Sequence, residues 1–295
     1  MSAAVPAAAT KRMPEPRAAT ESRSRLRLGP LVLPAYTHLV ILWLFAPIFV
    51  MIVFGFNDTH GKFNFTWSGF TLRWFMHPFG IPTLTSAALT SLWTSLTATL
   101  ISTSLGTMLA LASHRYDFRG KTVLNSVLIM NIAASEVVVG SALLTLFVTY
   151  GVGLGYVTIV LAQVMFSIPF VAITVRARLA GFDPALEEAA QDLGATPVAT
   201  FFLVTLPVIF PGVLAAALLA LAICLDDYVI TSFVAGNTET FPLWVFGATR
   251  EGIPPQVNVI GTFIFAFGVL VAVGGALYRG WSVRRLARET GLAAR

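Results

Sequence analysis

Three carboxylic acids lie within otherwise apolar stretches of the sequence, at Glu136, Asp226 and Asp227. An acid at the centre of a bilayer costs at least about 2.5–3.5 kcal/mol on insertion scales, so it usually faces protein or a water-filled path. Because buried charges interact more strongly than charges in water, these acids would attract a passing cation. A structural role is equally open, in which either aspartate caps a helix break. Adjacent helical positions point about 100° apart, so both aspartates cannot face one pore squarely.

The sequence contains no complete motif for catalysis, nucleotide binding or metal binding. The run Gly120-Lys121-Thr122 resembles the end of a phosphate-binding loop, but the required first glycine would fall at Arg115. The four histidines are scattered without ligand spacing, and the single cysteine, Cys224, excludes a disulfide within the chain. We therefore expect a chain that is not an enzyme and that binds no cofactor or metal of its own.

The composition indicates that the chain lies in a membrane. Of its 295 residues, 56% are hydrophobic and 11% are charged, and the mean hydropathy is +0.80. Soluble domains carry about 25% charged residues, which cover their water-exposed surface. The net charge of +5 could suggest nucleic acid, but the basic residues form no patch interleaved with aromatic residues. We expect a lipid membrane around this chain and no nucleic acid.

Six stretches are long and apolar enough to cross a bilayer, which takes about 20 residues of α-helix. The sequence thus predicts an all-α, polytopic membrane protein with six spans. The second, third and fifth stretches are long enough to be tilted or broken. The predicted spans are Leu39–Phe56, Ala88–Ser113, Val123–Phe147, Gly155–Val175, Val208–Phe233 and Val259–Tyr278.

Basic residues concentrate on one side of this predicted arrangement. Sixteen of the 19 Lys and Arg residues fall before the first span, after the last span, or in the loops after the second and fourth spans. Because Lys and Arg accumulate on the cytoplasmic side, both termini are predicted to be cytoplasmic, in the cell (inner) membrane. Residues 1–35 and 281–295 form basic tails, the first of them disordered, around a transmembrane domain at 36–280. Trp244 falls in an external loop, where its indole could stack on a cation.

The loop at 176–207 carries its own helix signals. Asp183 can cap a helix N-terminus, Pro184 suits the first helical position, and Gly194 suits a left-handed C-terminal position. These signals predict a surface helix of about ten residues. Thr196-Pro197 repeats the start signal, and Leu206-Pro207 is predicted to close a second short helix before the fifth span.

The same loop resembles a known motif. Glu188-Ala189-Ala190, then Gly194, then Leu206-Pro207 are similar to the EAA loop of ABC importer permeases, with Val204 where the pattern has isoleucine. The resemblance implies a type I ABC importer permease fold. It also implies that Glu188, Ala189, Ala190, Gly194, Leu206 and Pro207 couple the chain to ATPase subunits. Our hypothesis is that Glu188 and Gly194 hold the coupling helix in its docking geometry.

A second resemblance narrows the family. The run 225–230 and the following Ser232-Phe233-Val234 look like the fifth-span signature of the spermidine/putrescine importer permeases, and the segments 241–243 and 252–258 resemble that family's external loop. At the family's third-span site a proline commonly precedes the acid, whereas Ala134-Ser135-Glu136 lacks it. The resemblance implies transport of polyamines, with Asp226, Asp227, Glu136 and Trp244 as candidates for the substrate path.

The resemblance also implies partners. They are a second, similar permease, two ATPase subunits that bind ATP and magnesium, and an external substrate-binding protein. Two alternatives stay open on the sequence. One is an ABC permease for another small solute, and the other is a stand-alone cation-coupled carrier, although the matching inverted halves of many such carriers are not visible.

Overall fold

The computed structural model describes the backbone of residues 29–289, apart from residues 60 and 62. Within this range the chain is helical, with one isolated β-bridge between Asn57 and Phe70, and the all-α expectation is confirmed. The helices are α1 Gly29–Phe54, α2 Arg73–Met76, α3 Pro82–Arg115, α4 Lys121–Ala133, α5 Glu136–Thr149, α6 Tyr156–Leu179, α7 Ala185–Asp192, α8 Pro197–Thr200, α9 Leu206–Asp226, α10 Val229–Val234, α11 Phe241–Glu251 and α12 Pro255–Glu289.

By packing, the chain divides into two units, residues 1–49 and 50–295. The described part of the first unit belongs to α1, which begins at Gly29. Residues 29–35, which the sequence assigns to a disordered tail, are therefore helical. In the second unit, α12 continues to Glu289, beyond the predicted end of the sixth span at Tyr278. The remainder of the two predicted tails, 1–28 and 290–295, lies outside the described residues.

The described residues contain five single candidate spans, and six if one bent pair of helices counts as one span, which is the number that the sequence predicts. The third is a broken pair, α4 and α5, whose axes are bent by 109°. The other five are single stretches that are long and apolar enough to cross a bilayer. They are Leu33–Phe54, Pro82–Arg115, Tyr156–Leu179, Pro197–Asp226 and Pro255–Gly275.

Two predicted spans differ from the structure in continuity. Val123–Phe147 is not one helix, because Ala134 and Ser135 adopt extended backbone conformations between α4 and α5. The break forms without the proline that the family pattern places there. The fifth predicted span, Val208–Phe233, is likewise interrupted, since α9 ends at Asp226 and α10 begins at Val229. Both interruptions fall at the acids that the sequence singles out.

The segment before the fifth span also differs from its prediction. Leu206-Pro207 does not close a short helix, because a π-helical turn at Phe201–Thr205 joins α8 directly to α9. In this turn the Leu206 N–H donates to the Phe201 carbonyl, one residue further back than in an α-helix. Pro207 then occupies the first turn of α9, where its missing N–H is tolerated. The surface loop is thus continuous with the fifth span.

The core of the second unit is formed by α3, α6 and α9. Its buried side chains include Val171, Val175 and Ile209, which pack with alanines from α3 and α9. Small residues let membrane helices approach closely. Gly106 of α3 shows this, because a Cβ built there would lie 2.6 Å from Cγ1 of Val171. The long helix α3 is thereby packed against both α6 and α9.

A second close contact joins α5 to α10, the two helices that follow the breaks. A Cβ added to Gly140 of α5 would lie 2.5 Å from Cδ2 of Phe233 and 3.3 Å from Cα of Ile230. Ile230 and Val234 of α10 are buried there with Leu143 and Phe147 of α5. The glycine therefore lets the two interrupted spans lie side by side.

We predict that Gly140→Ala destabilises the protein by about 1–3 kcal/mol, because the added methyl group forces α5 and α10 apart. The measurement is the thermal unfolding midpoint of the purified protein in detergent. Gly268→Ala is the matched control, since nothing lies within 4 Å of a Cβ built at that helical glycine. Equal midpoints for the two variants would show that the close contact at Gly140 does not contribute to stability.

Candidate functional site

The surface helix α7 begins and ends with the predicted signals. The Ala185 N–H donates to Oδ1 of Asp183 at 3.0 Å. At the other end Gly194 has φ +86°, a left-handed conformation, and the Ala195 N–H donates to the Ala190 carbonyl at 3.0 Å. The helix has eight residues rather than the predicted ten, because Pro184 lies before its first residue and Leu193 lies after its last.

One acid of α7 anchors the helix to the rest of the unit. The Glu187 carboxylate pairs with Arg115 at the end of α3 and accepts a hydrogen bond from the Thr205 hydroxyl. Arg115 also donates to Oγ1 of Thr205, at 3.2 Å. The Glu187 side chain is only 17% exposed, so this pair is partly shielded from solvent. These three side chains thus link α7, α3 and the π-helical turn. We call Glu187, Arg115 and Thr205 the anchor cluster.

Sequence reasoning missed the anchor cluster. Glu187 lies outside the motif, which begins at Glu188. Arg115 entered only the orientation count and the incomplete phosphate-loop match. A separation of 72 positions between Arg115 and Glu187 hides the contact from local pattern analysis.

The motif residues lie mostly on the outward side of α7. Glu188, Ala189 and Gly194 are exposed, whereas Ala190 is half-buried. Leu193 is 90% exposed, although its three- and four-residue spacing from Ala190 and Ala189 predicts one shared apolar face. Further along, Leu206 packs against the α3–α6–α9 core and Pro207 is exposed. The exposed side of α7 therefore combines an acid, a small residue and an apolar side chain, as a protein-docking surface would.

The loop before α4 lies at the same end of α3 as the anchor cluster. Nζ of Lys121 donates to Oδ1 of Asp117 at 2.7 Å. This ion pair lowers the pKa of the Asp117 carboxyl below its ordinary value, because the lysine stabilises the ionised form. Lys121, the lysine of the incomplete phosphate-loop pattern, is thus paired with a neighbouring acid.

Asp227 satisfies the backbone at the interruption of the fifth span. Its carboxylate accepts the Ile230 N–H at 3.1 Å and the Thr231 N–H at 3.2 Å, and it also accepts the Thr231 hydroxyl at 2.7 Å. On the other side of the break, Nε2 of Gln163 donates to the Cys224 carbonyl, one of the last four of α9, at 3.1 Å. Asp227 thus has the structural role that the sequence left open.

Glu136 and Asp226 are different, because both are exposed. Glu136 begins α5, and it is near enough to Asp227 to interact electrostatically with it. Within the described residues, neither Glu136 nor Asp226 has a hydrogen bond or ion pair through its carboxylate. The structure therefore brings the three acids to two adjacent helix breaks and leaves two of them available to a cation.

Trp244 lies in another part of the second unit. It belongs to α11, and its Nε1 donates to Oγ1 of Thr83 at the start of α3, at 3.2 Å. Together with Trp74, it lines an open cavity of about 660 Å³. The α3 helix is 34 residues long, or about 50 Å, and the anchor cluster is at its other end. Trp244 thus does not share a site with the coupling residues.

These features define a helical membrane permease, with interrupted spans beside unpaired acids and a surface helix anchored before the fifth span. Residues 102–289 match the model of the family described as binding-protein-dependent transport system inner membrane component. The match covers more than half of the chain. The chain belongs to this family, the permease subunits of ABC importers.

Curated relatives agree over most of the chain. The spermidine/putrescine transport system permease protein PotC of Haemophilus influenzae is 34% identical over 240 residues, which cover 81% of this chain and 93% of that protein. PotC of Escherichia coli is 32% identical, covering 85% and 94%. The putrescine transport system permease protein PotI of Escherichia coli is 35% identical, covering 77% and 84%.

Solved structures show the same fold. A bacterial ABC transporter involved in the import of the acidic polysaccharide alginate has a chain that aligns with a TM-score of 0.60 at 15% identity, covering 88% of this chain and 98% of that one. A chain of an amino acid ABC transporter aligns with a TM-score of 0.52 at 19% identity, covering 67% and 92%. The predicted permease fold is confirmed.

We predict that Glu187→Gln loosens α7, because a neutral amide cannot form the ion pair with Arg115. Losing a partly shielded ion pair that stabilises α7 by about 1 kcal/mol would raise the rate of amide hydrogen exchange in residues 185–192 about fivefold. Hydrogen–deuterium exchange of the purified protein measures this. Asp192→Asn removes an exposed acid from the same helix and serves as the control. Unchanged exchange in the Glu187 variant would show that the anchor cluster does not hold α7.

We also predict that substituting the two adjacent aspartates has different effects on the stability of the protein. Asp227→Ala removes the cap of α10 and should cost about 0.5–2 kcal/mol, whereas Asp226→Ala should change stability by less than about 0.5 kcal/mol. Thermal unfolding in detergent compares the two variants directly. Equal losses, or a larger loss for Asp226→Ala, would contradict the capping role.

Proposed function

We propose that this permease imports polyamines of the spermidine and putrescine type, driven by separate ATPase subunits. The observation that carries the proposal is the pair of unpartnered carboxylates, Glu136 and Asp226, beside two adjacent helix breaks. Acids within spanning segments face a water-filled path or a partner, and a polyammonium substrate would supply the opposite charge. The curated relatives named above, which are polyamine permeases by name, support the same substrate class.

The translocation path forms at the face that carries these breaks. Interrupted spans at mid-membrane are typical of transport sites, because the freed backbone and side chains line a cavity instead of lipid. Asp227 holds the break open by capping α10, and Asp226 presents its carboxylate one residue away. A second, homologous permease subunit would complete the path from the other side.

Coupling to ATP hydrolysis occurs through α7. Its exposed side, with Glu188, Ala189 and Leu193, docks an ATPase subunit, and a second ATPase docks the partner permease. ATP and magnesium bind to those ATPases and not to this chain. The anchor cluster passes a movement of α7 to α3 and, through the continuous π-helical turn, to the fifth span.

The orientation follows from charge. The end of the second unit with α7 carries Arg115, Arg176 and Arg178, and the loops and tails that the sequence assigns to that side hold 16 of the 19 Lys and Arg residues. This end is cytoplasmic under the positive-inside rule, with both termini. The opposite end, where α11 and the start of α3 meet, then receives an external substrate-binding protein.

The experiment is uptake of labelled putrescine and spermidine by cells that lack this chain and any redundant importer. We predict that the wild-type chain restores uptake and that Glu188→Ala restores about a tenth or less, equivalent to losing about 1.4 kcal/mol of coupling. Asp226→Asn should also lower uptake severalfold, because it removes an unpaired charge from the path. Asp117→Asn, an exposed acid at the α7 end, is the control and should transport normally.

Each failure has a separate meaning. If the wild-type chain restores no polyamine uptake, the substrate class is wrong and the permease carries another small solute. If Glu188→Ala transports like the wild type, its coupling role is wrong. If uptake persists when the ATPase subunits are absent, the chain works as a cation-coupled carrier instead.

A further inference from the structure

The open cavity at the end of α3 opposite the anchor cluster has the size of a small-molecule site. Its volume is about 660 Å³, within the usual range of about 300–1,000 Å³ for ligand pockets. The segment before α3, the helix α11 and the first residues of α12 form its walls. The lining side chains that bear on recognition are Trp74, Thr83, Glu239, Trp244, Glu251 and Gln256.

The charge of the cavity has one sign. Glu239 and Glu251 are its only ionisable lining residues among those that the structure describes. Both are exposed, and neither has an ion pair with another described residue. The nearby Arg73 is already occupied, since its Nη2 lies 3.1 Å from Oδ1 of Asp58. Among the described residues, the cavity therefore presents two carboxylates without an ion-pair partner, which favour a cation.

Gln256 supplies an independent indication of a ligand. The residue lines the cavity, is 9% exposed, and its Oε1 has no hydrogen-bond partner. Buried amide oxygens are nearly always paired with a donor. An ammonium group, which donates three hydrogen bonds and accepts none, is the kind of donor that this oxygen lacks.

The two indoles make the cavity suited to an amine with an alkyl chain. Nε1 of Trp74 donates to the Asn57 carbonyl at 2.9 Å, and Nε1 of Trp244 donates to Thr83. These bonds fix the rings as walls of the cavity. Indole faces pack against methylene groups and also attract cations.

We propose that this cavity is an entry site for a linear oligoamine, with ammonium groups at Glu239 and Glu251 and the alkyl chain against the indoles. The assignment rests on the proposed polyamine transport and adds a site distinct from the acids at the helix breaks. A substrate released by the external binding protein would bind here before it reaches Asp226. A single ammonium would engage only one carboxylate, so diamines and longer amines are preferred.

The test is equilibrium binding of radiolabelled spermidine to the complete transporter in lipid nanodiscs, without its binding protein. Exposed ion pairs are weak, so Glu239→Gln and Glu251→Gln should each weaken binding about threefold, and the double variant about tenfold. Asp117→Asn, at the opposite end of α3, is the control for loss of one negative charge. Unlabelled putrescine should compete at least about tenfold better than butylamine, which has one ammonium group.

Two results would overturn the proposal. The first is wild-type transporter that imports polyamines but binds no spermidine up to about 10 mM. The second is a double variant whose spermidine affinity equals that of the wild type. If that variant also needs more loaded binding protein to stimulate ATP hydrolysis, the cavity is a protein-docking surface instead. Wild-type cells without polyamine uptake would instead contradict the proposed function.

Discussion

The structure depends on how an interrupted helix satisfies its backbone inside a bilayer, where no water replaces a lost hydrogen bond. At the fifth span the solution comes from two side chains. Asp227 accepts N–H groups from the start of α10, and Gln163 donates to a carbonyl at the end of α9. With both ends satisfied, α10 can pack against α5, and Gly140 provides the space for that contact. The two interruptions are then neighbours, and the acids beside them share one region.

The same constraint explains why adjacent aspartates have different roles. The Asp227 carboxylate accepts hydrogen bonds from three donors and is thereby held at the helix break. Asp226 belongs to the last turn of α9, and its carboxylate finds no donor among the described residues. It is well placed to be stabilised by a cation that passes through.

At the other end of the unit, rigidity comes from a polar contact. α7 is fixed to α3 by the charged pair of Glu187 and Arg115, and to the π-helical turn before the fifth span by the hydrogen bond from Thr205 to Glu187. α3 also runs about 50 Å to the cavity beside Trp244. One long helix thus contacts both the proposed ATPase-docking surface and the proposed surface for the external partner.

The sequence by itself determined the membrane class, the location of the apolar stretches, and the capping signals on either side of α7, because apolar length and capping residues act over a few neighbouring positions. It also located the three acids, but it could not show that Asp227 and Asp226 have different roles. That difference depends on a break whose backbone groups are satisfied by Gln163, 61 residues from Cys224. Three features were decided only by tertiary structure. They are the contact of Glu187 with Arg115, the π-helical turn before Pro207, and the cavity that joins Glu239 to Gln256. Each brings together groups from different helices, and hydrophobic pattern carries no information on which polar groups will meet.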